Sequence, residues 1–230
     1  MTGCDPLNET TQDVLDLSLD LAEGENRKID IVNLFRTTPL KVTGTITLGR
    51  KASLEIVEVD LGRFSMDLQI RTSLAEKAGF LYKLAALNEN AEAKSYRADV
   101  IHIGRESKSL TSMFGVCSGT SHMEFLGVSD IKRGAAKANT RQEGKAVTLS
   151  GKARCIVSPA LLIGEEDVFA SHGASMGSVP DTDIFYLMSR GLDRNTAERL
   201  VMVGYLKPIV LMLDDKTVKE KALALLEKEI

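Results

Sequence analysis

The sequence predicts a mainly β protein that ends in a small α-helical region. Between about residues 40 and 170, short segments rich in β-branched residues alternate in polarity, with glycines interrupting them at loosely regular intervals. Strands that recur without long helices between them are typical of a sandwich, a barrel or a stacked β-solenoid. The hairpin signals Asn-Gly and Asp-Gly are missing, which favours the solenoid over a meander of tight hairpins.

Two stretches leave the secondary structure open. The apolar period over residues 14–21 alternates more nearly as a strand than as a helix, but its acidic start suits either. Apolar residues between positions 74 and 86 can form a helical stripe, and the overlapping run AEKAGFLYKLAALNENAEA is rich in helix formers. Periodicity alone does not separate helix from strand in these stretches.

From residue 180 onward the pattern is helical. Ile184, Leu187 and Met188 share one face of the first predicted helix, and two further apolar stripes follow. Start and stop signals divide the region into three helices. In chain order these signals are Asp181 as first N-cap, Gly191 after the first helix, Asp193 as second N-cap, Pro208 as stop, and Thr217-Val218-Lys219-Glu220 as a capping box.

Composition excludes several functional classes. The 230 residues carry a net charge of −3, and aromatic residues make up only 5% with no Trp, so neither a general nucleic-acid surface nor a base-stacking platform is expected. The apolar runs are too short to cross a bilayer, and the acidic N-terminus lacks the layout of a secretory signal. We therefore expect a cytoplasmic protein with no membrane or nucleic-acid partner.

Catalytic and nucleotide-binding motifs are not found. The sequence contains no phosphate-binding loop, dinucleotide fingerprint or zinc-protease motif, and its three cysteines include no C-x-x-C. Cys117 imitates a nucleophile elbow in GVCSG, but a strand follows it where that motif needs a helix, so a buried structural cysteine is favoured. His102 and His122 are interpreted as surface or hydrogen-bonded histidines because neither has a partner at ligand spacing.

His172 stands apart from the other histidines. It lies among small residues at a predicted change from strand to helix, where a partner chain or a metal can approach it. If residues 166–172 are extended, Glu166, Ala170 and His172 project to one side. From the pattern alone, a capping role for His172 and a buried strand position for Cys155 are favoured over metal ligation.

The run ASHGASMG at 170–177, followed by IFYLMSRGL at 184–192 and AERL at 197–200, resembles the C-terminal core of the SufB/SufD family. Those proteins are scaffold components of the SUF iron–sulfur cluster assembly machinery. The likeness extends upstream through Arg141-Gln142, Leu149-Ser150, PALLI at 159–163 and Asp167-Val168, and covers most of residues 40–208.

The resemblance implies a right-handed parallel β-helix with a short C-terminal helical domain, and it favours strand over residues 74–86. It divides the chain into an N-terminal segment (1–39), a β-helix core (40–178) and a helical domain (179–230). In the family, the helices dock on the ABC ATPase SufC, and the core pairs with a second SufB or SufD at the interface where a nascent cluster forms. The chain is short for the family, as are archaeal-type members, so a homodimer and a SufB/SufD-type heterodimer are both open.

The resemblance carries over only part of the family's ligand set. Ala170 stands where SufD-type chains have Cys, Ser158 where SufB-type chains have Cys, and Gly173 where the latter have a carboxylate; only His172 is retained. Cys155 lies three residues before Ser158, on the opposite face of a regular strand. Three interpretations stay open: a labile site shared across a dimer, ligands drawn from Cys117 or Cys155, or a mainly structural role.

The sequence thus predicts a non-enzymatic SUF scaffold subunit that holds a transient iron–sulfur cluster and binds no nucleotide itself. The alternative is a regulatory partner of the ATPase that ligates no cluster. The candidate metal ligands are His172, Cys155 and Glu166. The candidate residues for binding the ATPase are Ile184, Phe185, Leu187, Met188, Arg190 and Leu200.

Overall fold

The chain winds into a parallel β-helix of about six coils, and two parallel sheets form its walls. The structure is a computed structural model that describes residues 13–228. One sheet, sheet A, contains β1 (Asp13–Asp16), β2 (Leu19–Leu21), β4 (Leu40–Leu48), β6 (Met66–Leu74), β8 (Ala93–His102), β10 (His122–Ile131) and β12 (Arg154–Ile163). The other, sheet B, contains β3 (Asn26–Asn33), β5 (Ser53–Asp60), β7 (Gly79–Asn88), β9 (Lys108–Cys117), β11 (Asn139–Thr148) and β13 (Phe169–Ser178). The parallel β-helix that the resemblance implied is confirmed.

Alternation of polarity places one face of each strand in the core between the sheets. In β6, β8 and β10 every second residue is buried, and these residues stack in register from coil to coil. Leu68, Tyr96 and Phe125 form one such ladder. Strands of a stacked coil need no tight hairpins, which explains why hairpin signals are missing from the sequence.

A second core lies on the outer face of sheet B. There Val57, Val59 and Ala85 are buried beneath the C-terminal helices, so β5 and β7 end in runs of residues that are buried on both faces. A run buried on both faces loses its alternation. This explains why residues 74–86, which contribute to β6 and β7, also fitted a helical pattern; the predicted strand is confirmed.

At one corner of the β-helix, equivalent residues of successive coils adopt the left-handed backbone conformation. Lys51, Lys77 and Lys137 have φ near +60° at equivalent turns, and the Lys77 N–H donates to the Arg105 carbonyl of the next coil at 2.9 Å. Gly104 lies beside these residues, where an added Cβ would come within 2.0 Å of the Glu76 nitrogen. Only glycine fits there.

The three predicted C-terminal helices are present as α1 (Asp181–Ser189), α2 (Arg194–Val210) and α3 (Lys216–Lys228). Asp193 caps α2 by accepting from the Thr196 N–H at 2.9 Å, as predicted, and Gly191 follows α1 with φ +94°. Pro180, rather than Asp181, occupies the N-cap position of α1.

Two further predicted helix boundaries are wrong. Pro208 lies inside α2, where burial of Leu206 and Ile209 against sheet B offsets the one backbone hydrogen bond that proline cannot donate. Asp215, rather than Thr217, caps α3 by accepting from the Val218 N–H at 2.9 Å.

The sheets begin before residue 40. Within residues 13–33, β1 and β2 pair with β4, and β3 pairs with β5, so the stretch that the sequence left open forms strands. The division into three domains at residues 39 and 178 stays a prediction. Among residues 13–228, no helix has both the length and the apolar character needed to span a bilayer.

Candidate functional site

The β-helix ends in an open coil formed by β12 and β13. Among the described residues, β12 pairs only with β10, and β13 pairs only with β11, so each is the last strand of its sheet. The Phe169 N–H donates to the Ala138 carbonyl, and the Arg154 N–H donates to the Ser121 carbonyl, both at 2.9 Å. Because backbone groups of parallel strands alternate in direction, the next residues along each strand point their N–H and C=O groups at the free edge.

The free edge of β13 includes the backbone of Ala170, His172 and Ala174. On β12 the corresponding positions include Cys155, Val157 and Pro159. Pro159 has no N–H, so its place on the free edge leaves the β12–β10 ladder intact. Within residues 13–228, this end of the coil therefore offers an unpaired strand edge rather than a capped one.

His172 lies in the middle of β13 and is exposed. Its register partner is Gln142, whose buried side chain faces the space between the sheets. Gln142 Nε2 donates to Ser129 Oγ at 2.7 Å, while its Oε1 accepts no hydrogen bond from any described residue. The side chain of His172 therefore continues the row of interior side chains that includes Gln142. Because β13 is the last strand of its sheet, no described residue covers it. The sequence had placed it at a strand-to-helix change instead.

Cys155 faces the interior of the same end and meets Cys117 of β9. Their Sγ atoms lie 2.9 Å apart. Contact with the Cys155 sulfur, together with burial, raises the pKa of the Cys117 thiol, and the same contact lowers the pKa of Cys155. Cys155 is also the more exposed thiol of the pair. Its register with Met123 places it on the face opposite Ser158, as the sequence predicted.

Glu166 is exposed in the turn between β12 and β13. Its neighbour Glu165 is engaged, since it accepts from the backbone N–H groups of Gly134 and Glu166, which lower the pKa of Glu165. Within the described part of the chain, no three His, Cys, Asp or Glu side chains are grouped so that they could hold a metal ion. One copy therefore brings His172, Cys155 and Glu166 to the same end of the coil without joining them into a three-ligand site.

The other two histidines have structural surroundings. His102 is buried between Ser107 and Ser109, and burial lowers its pKa to about 4. His122 contacts Glu124 on the outer face at 2.9 Å. Both are hydrogen-bonded, as the sequence analysis proposed.

The helical residues predicted to bind a partner divide into two groups. Ile184 is only 2% exposed and anchors α1, and Leu187 is half-buried. Phe185 is 72% exposed, and Met188, Arg190 and Leu200 are also exposed. The apolar stripe that periodicity identified therefore faces partly inward. Tyr186, which sequence reasoning missed, lies in the exposed group, and its hydroxyl accepts from Arg190 Nη2 at 3.2 Å.

A buried charged cluster was also missed. Asp60, Lys94 and Glu58 are fully buried inside the β-helix, with Lys94 Nζ 3.0 Å from Asp60 Oδ1. Burial raises the pKa of Glu58 to about 8, and the Tyr82 hydroxyl donates to Glu58 Oε2 at 2.6 Å. The signal in the sequence is parity, because Glu58 and Asp60 share the interior face of β5 with Leu54 and Ile56.

Comparison with known proteins identifies a family for this chain. The family model for the SUF system FeS cluster assembly, SufBD core domain, matches residues 27–205. The iron–sulfur cluster assembly protein SufD of Bacillus subtilis is 36% identical over 148 residues, which are 64% of this chain and 34% of the relative. SufD of Plasmodium berghei is 29% identical over 177 residues (75% and 13%), and SufD of Escherichia coli is 28% identical over 109 residues (47% and 26%).

The matched stretches make up about a third or less of these curated relatives. The family model, in contrast, covers well over half of the present sequence. The chain therefore belongs to the SufBD core-domain family of the SUF iron–sulfur cluster assembly system.

Proposed function

We propose that this chain is a scaffold subunit of a SUF-type iron–sulfur cluster assembly complex. Its β-helix pairs through the open coil with a second β-helix, and its C-terminal helices bind a SufC-like ABC ATPase. The subunit itself is not an enzyme and binds no nucleotide. The observation that carries the proposal is the open coil, where a free strand edge, exposed apolar side chains and His172 lie together.

Surface composition supports pairing at the open coil. Phe169 is 69% exposed, and large apolar side chains on β12 and β13 are exposed beside it. Exposed apolar surface next to an unpaired edge is typical of a strand that receives a partner. At Gly173 and Gly177 an added Cβ would meet no atom of the described residues within 4 Å, so the surface of β13 is open at these positions. The other exposed apolar residues are Ile156, Leu162, Ile163 and Met176.

Pairing would also complete a ligand set for the cluster, which is the scaffold's cargo. Iron–sulfur clusters are usually held by thiolates, with histidine as an occasional substitute. One copy offers Cys155, His172 and Glu166 only as separate side chains. Two copies paired through their open coils would bring both sets of side chains to the same interface. A mixed set of this kind holds a soft cluster weakly, which suits a scaffold that passes its cargo on. The free thiols of Cys155 and Cys117 also suit a reducing compartment, so we place the complex in the cytoplasm.

The exposed group on α1 supports binding to the ATPase. Phe185, Tyr186, Met188 and Arg190 are residue types that are enriched at the centres of protein interfaces. Helix α2 packs on sheet B through Leu206, so a pull on the helices would be transmitted to the β-helix as a rigid body. In this mechanism, nucleotide-driven closure of the ATPase pair moves two helical domains, and the paired coils shift around His172.

Charge placed on the exposed face of α1 should abolish binding to the ATPase. We expect Phe185→Asp combined with Met188→Lys to weaken binding to a SufC-like ATPase roughly 100-fold, because loss of two interface anchors costs a few kcal/mol. Ile103→Asp is the matched control, since Ile103 is also an exposed apolar residue but lies directly after β8 of the β-helix. Co-purification of the folded double variant at the wild-type level, or an equal loss in the control, would contradict the assignment.

Removal of His172 should reduce cluster loading. After anaerobic incubation with iron and sulfide, we expect the wild-type protein to show the visible absorption of an iron–sulfur cluster and His172→Ala to lose most of it. Ser171→Ala is the control, because it changes the neighbouring exposed residue of β13, whose side chain projects to the opposite face of the strand. Cluster absorption that His172→Ala leaves unchanged would remove this residue from the site.

A regulatory or spacer subunit that binds the ATPase without ligating a cluster is the second candidate. Ala170 at the position of the SufD-type cysteine favours it, as does the finding that residues 13–228 of one copy include no three-ligand group. Intact ATPase binding by a wild-type protein that takes up no cluster would select this alternative.

A further inference from the structure

We infer that Cys117 and Cys155 form a reversible disulfide and are a redox modification site of the β-helix. Cys117 is the last residue of β9, and Cys155 is the second residue of β12, two coils further along and in the other sheet. Their Sγ atoms are 2.9 Å apart, closer than two sulfur atoms pack without bonding. Neither sulfur is bonded to another cysteine in the described structure.

The two thiols differ in access, which sets their order of reaction. Cys117 is fully buried, while Cys155 is partly exposed and borders a surface cavity of about 460 Å³. His122, Ile156 and Met176 also line this cavity. A small oxidant such as a hydroperoxide can therefore reach Cys155 first, with Cys117 directly behind it as the resolving thiol.

The chemistry balances with a hydroperoxide as the oxidant. The Cys155 thiolate attacks one peroxide oxygen, the O–O bond breaks, and protonation of the departing oxygen gives water or an alcohol and leaves a sulfenic acid on Cys155. The Cys117 sulfur then attacks the Cys155 sulfur, the S–O bond breaks, and water leaves with the Cys117 proton. The two thiols lose two electrons to the peroxide, and an added dithiol returns them by exchange.

The bond would have two consequences. It would fasten the open coil to β9, and it would withdraw the Cys155 thiolate from the ligands available at that end of the coil. The second consequence rests on the proposed function, because it matters only if a cluster is assembled there. Oxidation would then prevent the scaffold from loading a cluster through Cys155.

Peptide mapping of the full chain tests the disulfide directly. The reduced protein is freed of reductant anaerobically, treated with equimolar hydrogen peroxide, alkylated under denaturing conditions and digested with trypsin. We expect the peptide 109–132, which contains Cys117, to be linked to the peptide 155–190, which begins at Cys155. Two of the three alkylatable thiols should be lost, and dithiothreitol should restore both.

Two variants and one loading assay sharpen this test. Cys4→Ser should form the same link, whereas Cys117→Ser should form none and leave a trappable sulfenic acid on Cys155. Two results would overturn the inference. In the first, peptides 109–132 and 155–190 are each still alkylated and unlinked after the peroxide has been consumed. In the second, the link runs through Cys4. If the oxidised protein loads as much cluster as the reduced protein does, oxidation does not remove a needed Cys155 ligand, and that consequence is contradicted. Failure of the reduced protein to load a cluster would count against the proposed function and leave the mapped disulfide standing.

Discussion

Replacement of Lys94 by methionine is expected to lower the free energy of unfolding by about 3–5 kcal/mol, the usual cost of leaving a buried charge without its partner. Lys94 Nζ lies 3.0 Å from Asp60 Oδ1 and donates to the carbonyls of Gly62 and Leu87 at 2.8 Å. All of this lies inside the β-helix, where methionine can fill the volume but cannot donate a hydrogen bond. Chemical denaturation of the purified protein measures the change.

Two further variants show whether charge, rather than packing, causes the loss. Lys83→Met removes a lysine from the half-buried outer face of the neighbouring β7, where its bond to Ser112 is the main loss, so a change below about 1 kcal/mol is expected. Combining Lys94→Met with Asp60→Asn should recover part of the free energy of unfolding, because the second change replaces the buried carboxylate that has lost its lysine by a neutral amide. A Lys94→Met protein within about 1 kcal/mol of wild type would show that the pair is not needed for stability.

The sequence pattern predicted the strands well and the helix ends less well, for a physical reason. Alternation reports which side chains share a face of a strand, and stacked coils repeat that alternation without hairpin signals. Helix ends depend on tertiary packing, which the pattern does not include. Pro208 stays within α2 because its neighbours are buried on sheet B, and that contact joins residues about 90 to 150 positions apart in sequence.

Features of the candidate site that depend on which face of a strand or helix a residue occupies were predictable from the sequence. Features that depend on contacts between residues far apart in the sequence were not. Parity placed Cys155 and Ser158 on opposite faces of β12. It also grouped Ile184 with Leu187 on α1, but it could not tell which face the fold would cover, so the burial of Ile184 and the place of Tyr186 beside Phe185 emerged only from the structure. The contact between Cys117 and Cys155 crosses from one sheet to the other, and no local pattern encodes it.

Proline at position 174 should separate the proposed pair of β-helices without disturbing either one. The backbone of Ala174 points to the free edge of β13, so a proline there costs no bond to β11 but removes a donor and projects its ring towards the partner. Loss of two or three interchain backbone hydrogen bonds at about 1 kcal/mol each should raise the dissociation constant roughly 100-fold. Pro159 of β12 already occupies an equivalent edge position.

Sedimentation of the chain alone tests a homodimer, and co-purification with a SufB- or SufD-type chain tests a heterodimer. Ala174→Ser keeps the backbone donor and should pair as the wild type does. Ser175→Pro, one residue further on, removes a donor that faces β11 and should destabilise the coil itself. If the wild type pairs with neither kind of partner, or if Ala174→Pro pairs normally while folded, the open edge of β13 is not the interface.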